Sequence, residues 1–308
     1  MKKIVHWLGK ILMLLSMAFI AQRLWEYHDD VQIICTPKSI LQMVMCSVLY
    51  AAVVYTCPLL YRHALYITAN KKINYPKVAY IYCKSNILKY LPGNFMQYVG
   101  RNEITVSEDI SQREAALATL LEILATILST IIMAVTFSGA YTAEWVSRFA
   151  SFNRMWVTVV ILILCAIMAF ILCKYKEKIF SPIYKILHKD NIRRFAVITV
   201  ISAIIMLANS IIYFYVLYTL GIRMEPRYYW TGIGLYSLSF VLGYITPGVP
   251  GGIGIRETIL VYFFSAFINE SEILAGSVIF RIISVIGDLL ALMIAITAAK
   301  KMVVENEK

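Results

Sequence analysis

Long apolar runs separated by short polar loops dominate this chain. Six segments, about 4–25, 39–61, 113–137, 155–173, 195–220 and 272–299, read as full spans, each near the ~20 apolar residues that a bilayer-crossing helix needs. Two more, about 78–100 and 229–267, are long enough to enter a membrane but are interrupted, the first at Pro92-Gly93 and the second over 247–254. Backbone that breaks a helix at membrane depth leaves N–H and C=O groups unpaired. Such a break survives only where protein buries it or a wet cavity receives it. The pattern predicts an all-α polytopic membrane protein, one integral membrane domain over 1–308, with no polar stretch long enough for a soluble domain.

Charge placement sets how the segments run. Lys2, Lys3 and Lys10 put the N-terminus inside, the loop with Glu26, Asp29 and Asp30 is outside, and the basic 62–77 loop is inside. The loop 174–194 carries seven Lys/Arg against two acids and is the strongest inside signal. The broken segment 78–100 must then enter and leave on the inner side, and 229–267 on the outer side. Lys300 and Lys301 place the C-terminus inside as well. Each half, about 1–140 and 150–300, becomes two spans, a re-entrant hairpin and a third span, and the two halves run in opposite senses. Inverted repeats with broken helices point to a transporter-type site near the midplane. A shared Pro-Gly-x7-Arg element, Pro92 to Arg101 and Pro247 to Arg256, agrees with that arrangement.

Composition narrows the classes further. The chain is 60% hydrophobic and 15% charged, against roughly 25% charged in soluble domains. Its net charge of +11 sits in short inner loops, so it reads as positive-inside bias beside anionic lipid and not as a nucleic-acid surface. The six cysteines show no metal spacing and read as small hydrophobes, and the four histidines lie far apart at membrane edges. The apolar run 11–21 lacks a signal-cleavage pattern and reads as a retained first helix, giving a multi-pass plasma-membrane protein with both termini cytoplasmic. No H-E-x-x-H, G-x-S-x-G or Walker loop is present, so no catalytic residue, cofactor or metal is expected. The 21 tyrosines and five tryptophans read as interfacial belts.

The candidate chemistry lies at the two breaks. Seven of the fourteen glycines fall between Gly232 and Gly254. Gly251, Gly252 and Gly254 could turn successive N–H groups toward an anion, and the helix from about Ile255 would aim its positive end at the same place. Arg256 adds a forked donor suited to phosphate or carboxylate, with Glu257 beside it. The first hairpin offers a thinner version in Gly93, Asn94, Gln97, Gly100 and Arg101. The alternative is that these are tight turns whose arginines snorkel to head groups. Glu122, Arg281 and Asp288 lie deep in presumed spans. Glu122 and Arg281 are each ~12–14 Å from a helix end at about 1.5 Å per residue, so they could pair near the midplane. Arg281 and Asp288, seven apart, could line one cavity.

Pro250-Gly-Gly-Ile-Gly-Ile-Arg-Glu257 resembles the PGG-x-G-x-RE signature of the lysylphosphatidylglycerol synthase transmembrane family. Tyr90-Leu-Pro-Gly-Asn-Phe-Met-Gln-Tyr-Val-Gly-Arg101 looks like its first Pro-Gly motif in stand-alone members, and Ile279-Phe-Arg281 is similar to its last-helix arginine. The resemblance implies a flippase-like domain that moves a lipid with a charged head group between leaflets, with Arg101, Arg256, Glu257 and Arg281 contacting or gating it. The aminoacyl-transferase domain of the bifunctional members has no counterpart in these 308 residues. Asp288 departs from the apolar or proline residue the resemblance leads one to expect.

The expected function is translocation, without ATP hydrolysis by this chain, of a phospholipid or a polyprenyl-phosphate-linked sugar. Three rivals stay open: a secondary transporter of a small anion, a non-catalytic accessory scaffold for a membrane glycosyltransferase or lipid-modifying enzyme, and a membrane-embedded transferase, which the missing acidic motifs weaken.

Overall fold

A computed structural model describes residues 37–90, 95–139, 141, 189–246, 252 and 254–306, and every described element is helical. The predicted spans 4–25 and 155–173 lie outside these residues, as do Asn94 and Gly251. Helix α1 (Pro37–Thr56) and α2 (Pro58–Ala69) are separated only by Cys57, because Pro58 at the first helical position lacks the N–H that would continue the ladder. Then come α3 (Tyr75–Asn86), a 3-10 turn (Ile87–Tyr90), α4 (Met96–Val106) and α5 (Gln112–Gly139). The second part holds α6 (Lys189–Thr219), α7 (Tyr229–Ile245), α8 (Ile255–Phe264) and α9 (Glu270–Asn306).

Among the described residues, four helical stretches are long and apolar enough to cross a membrane: Pro37–Ala69, Gln112–Gly139, Asp190–Thr219 and Glu270–Met302. They coincide with four of the six spans read from the sequence. The helices flanking the two breaks are shorter. At about 1.5 Å per residue, α3 and α4 extend only ~18 and ~16 Å, and α8 ~15 Å, about half of a ~30 Å hydrocarbon core.

Small residues let the long helices approach closely. Ala51, Ala291 and Ala295 are buried where α1 meets α9, joined by Ala79 and Cys83 of α3. A Cβ on Gly287 would lie 2.6 Å from Tyr50 Cδ1 and 3.0 Å from the Ser47 carbonyl oxygen, so this crossing needs glycine. A second core gathers Tyr61 and Leu65 of α2, Ala118 and Leu121 of α5, and Ile198 of α6. A third is aromatic. Tyr213, Tyr236 and Phe264 pack with Phe280, which meets Tyr213 and Tyr236 edge-on at 5.5 and 6.1 Å between ring centroids. Leu41, Val44, Val135 and Met293 point away from all three cores and are exposed, as lipid-facing side chains would be.

Candidate substrate cavity

Arg101 comes from the first turns of α4, just after the first break, and its side chain is buried. Its Nη1 donates to Glu122 Oε2 on α5 at 2.6 Å, and Tyr82 Oη of α3 donates to the other carboxylate oxygen at 2.7 Å. The guanidinium lies 3.8 Å from the Tyr82 ring centroid and 5.2 Å from that of Tyr61. Both charges are thus out of water, paired and hydrogen-bonded, and the guanidinium is also stacked. A buried pair persists only when its lone pairs and protons are satisfied in this way.

The second break builds a related arrangement. Arg256 on α8 donates to Tyr236 Oη of α7 and lies 4.8 Å from that ring, with Phe240 and Phe280 also within 6 Å. Glu257, next to it, is buried. Its Oε2 accepts the Gly254 N–H at 2.7 Å, and its Oε1 accepts Arg281 Nε of α9 at 2.9 Å. Gly252 and Gly254 have φ of +70° and +87°. A Cβ on Gly252 would sit 3.0 Å from the Gly243 carbonyl oxygen, so both the space and the backbone there require glycine.

A third ion pair joins the 3-10 turn after α3 to α9. Lys89 Nζ, in the 3-10 turn, lies 2.6 Å from Asp288 Oδ2 of α9. Asn86 Nδ2 donates to Asp288 Oδ1 at 2.9 Å and Tyr90 Oη donates to Oδ2, so the buried carboxylate is fully used.

Between these pairs lies a cavity of about 180 Å³. Its cationic lining comprises Lys89 of the 3-10 turn, Arg101 of α4, Arg256 of α8 and Arg281 of α9. Tyr98 of α4 and Tyr244 of α7 share a side-chain hydrogen bond across its wall. Lys89, Arg101 and Arg281 each hold a carboxylate. Among the described residues no carboxylate stands within ion-pair distance of Arg256, which meets only a hydroxyl and aromatic rings.

Several sequence expectations need correction. Glu122 pairs with Arg101 and not with Arg281, because equal depth in two helices does not make their faces meet. Arg281 lines the cavity, but Asp288 stands behind Lys89. The N-terminal end of α8, expected to meet a ligand anion, is already met by Glu257, which contributes no atom to the cavity lining. Gln97 is buried and lines the cavity. The belt reading fails for Tyr61, Tyr82, Tyr213 and Tyr236, which are buried in the protein, three of them beside Arg101 or Arg256. Sequence reasoning also missed Lys89, Tyr90 and Asn86. The available signal was Asn86, Lys89 and Tyr90 within five residues of one another, just before the Pro92-Gly93 break. Among the described residues no cluster of metal ligands forms, and Cys46 and Cys83 are buried free thiols.

Apolar helices long enough to span a bilayer, enclosing a cavity of buried ion pairs, define a polytopic membrane protein with an intramembrane polar site. The model of the lysylphosphatidylglycerol synthase TM region matches residues 98–291, more than half of the chain, and the chain belongs to this family. The matched stretch runs from Tyr98 to Ala291 and includes Arg101, Glu122, Arg256, Glu257, Arg281 and Asp288. Comparison with curated proteins finds no match to the chain.

Proposed function

We propose that this protein moves a lipid with an anionic, phosphate-bearing head group between leaflets, receiving the head group in the central cavity while the tails stay in the bilayer. The observation that carries this reading is Arg256. The other three cavity cations are neutralised by carboxylates, and Arg256 is left facing the space with only a phenol and aromatic rings as partners. A half-buried guanidinium held by a phenol and aromatic rings is a strong receptor for one phosphate group.

The reading includes the inverted repeat, with six spans, two re-entrant hairpins and both termini cytoplasmic. Two local correspondences support it. Each break is preceded by a helix that supplies a tyrosine and followed by one that supplies the arginine stacked on it, Tyr82 with Arg101 and Tyr236 with Arg256. Each post-break helix is also tied by an ion pair to the next span, Arg101 to Glu122 and, with the signs exchanged, Glu257 to Arg281.

The test is reconstitution into liposomes, with leaflet-specific quenching of labelled phosphatidylglycerol, phosphatidylcholine and a polyprenyl-phosphate sugar. Arg256→Gln should abolish movement at unchanged protein level. Native-like movement in that variant would overturn the reading. Uptake of inorganic phosphate without lipid movement would favour a small-anion transporter instead.

A further inference from the structure

Away from the central cavity, the last turns of α2, the turn after it and the first turns of α6 enclose two adjoining clefts of about 520 and 190 Å³. His63, Tyr66 and Arg194 line both and form their common wall. Arg62, Lys71 and Lys72 stand on one side of it, and Arg193 on the other. Lys71 is engaged, donating to the Glu108 carbonyl at 2.5 Å and lying 3.9 Å from Asp109. Arg62, Lys72, Arg193 and Arg194 have no carboxylate within ion-pair distance among the described residues. The one acid in the lining, Asp190, is exposed on the first turn of α6.

Excess charge in an inner loop is ordinary for a membrane protein, but here Arg62 and Arg194 are held in place. The Arg194 guanidinium rests 3.6 Å from the centroid of the Tyr66 ring, and Lys72 Nζ is 5.9 Å from the same ring. Arg62 Nε donates to the Ile73 carbonyl at 3.0 Å, which uses one of its five donors. Arginines held by stacking and by a backbone carbonyl lose less freedom when an anion arrives than solvated ones do. The clefts are also separate from the central cavity. Between the two, α2 and α6 meet through the buried residues Ala64, Leu65 and Ile198.

We propose that this cleft is a second anion site that binds a phosphate group, with Arg62 and Arg194 as forked donors, Lys72 and Arg193 as added charge, and Tyr66 as the floor. The phosphate belongs either to an anionic lipid head group at the membrane edge or to a soluble phosphorylated molecule. The proposal does not depend on what the central cavity carries.

The full chain in neutral detergent is titrated with inorganic pyrophosphate and followed by its melting temperature. In parallel, phosphatidylglycerol retained from mixed phosphatidylcholine nanodiscs is counted by native mass spectrometry. Binding should weaken by about tenfold for each arginine lost in Arg62→Gln and Arg194→Gln. It should weaken less in Arg194→Lys, and only the binding lost with Arg62 and Arg194 is assigned to this cleft. A response to pyrophosphate assigns a soluble ligand, and retention of phosphatidylglycerol alone assigns a lipid. Should the arginine variants fail to fold, Lys72→Gln/Arg193→Gln, both at exposed positions, serves in their place. Absence of binding to either probe, or equal binding by native and variant protein, overturns the site.

Discussion

Arg101 and Glu122 face each other across α4 and α5 at 2.6 Å, with side chains only 1% and 5% exposed. The first arm of contacts after the first break is therefore secured to the following span by a single desolvated ion pair. Tyr82 completes it by donating to the free carboxylate oxygen and covering the guanidinium face. Removing one member leaves the other charged and buried, which costs about 3–5 kcal/mol, whereas replacing both by apolar side chains is often close to neutral. Arg101→Leu and Glu122→Leu should each lower stability by that amount, and Arg101→Leu/Glu122→Leu should recover most of it. Chemical denaturation in detergent measures this. Strictly additive losses in the double variant would show that the two charges are not coupled.

Arg256 differs from Arg101 in lacking a carboxylate, so its substitution should separate function from stability. Arg256→Gln removes a cation that no fold-stabilising acid depends on, and its melting temperature should stay within a few degrees of native. Arg256→Lys keeps the charge but loses the planar fork that donates to Tyr236 and stacks on three rings. Lipid movement should be lost in Gln and fall about tenfold in Lys, the size of one charge-assisted hydrogen bond. A lysine variant with full activity would mean that charge alone suffices.

The sequence made the breaks legible because proline and glycine act locally, and it made four of the spans legible because hydropathy is a property of the segment itself. Depth could be counted too, which is how Glu122 and Arg281 came to look like partners. What a single sequence does not display is the rotation of each helix about its own axis. That rotation decides that Arg281 faces Glu257 and that Arg101 faces Glu122. The buried tyrosines were hidden for a related reason. A tyrosine among apolar residues reads the same whether its ring meets lipid head groups or, as Tyr82 and Tyr236 do, an arginine inside the protein.

Gly252 offers a purely steric test of the second break. Its φ of +70° is strained for an L side chain, and an added Cβ would press on the Gly243 carbonyl of α7, which cannot rotate away. Gly252→Ala should cost about 1–3 kcal/mol and loosen the Gly254–Glu257 cap that follows. Thermal unfolding reads the first effect. Faster hydrogen exchange at the α8 N-terminus reads the second, and native exchange there would rule out the coupling.

Asp288 is the carboxylate on which the charge balance of the cavity turns. It lines no part of the cavity itself, but it neutralises Lys89, which does. Asp288→Asn keeps the shape and much of the hydrogen bonding to Asn86 and Tyr90, yet leaves Lys89 as a second uncompensated cation beside Arg256. At an effective dielectric constant of about 20, one extra unit charge ~8–10 Å from a bound phosphate contributes about 2 kcal/mol, roughly thirtyfold tighter binding. A tighter ground state slows release, so movement of an anionic lipid should fall while its retention in detergent rises. Lys89→Gln/Asp288→Asn restores the original charge and should restore both. If Asp288→Asn weakens retention instead, Asp288 acts through the position of the 3-10 turn and not through charge. Comparing retention and movement in the single and double variants decides between the two.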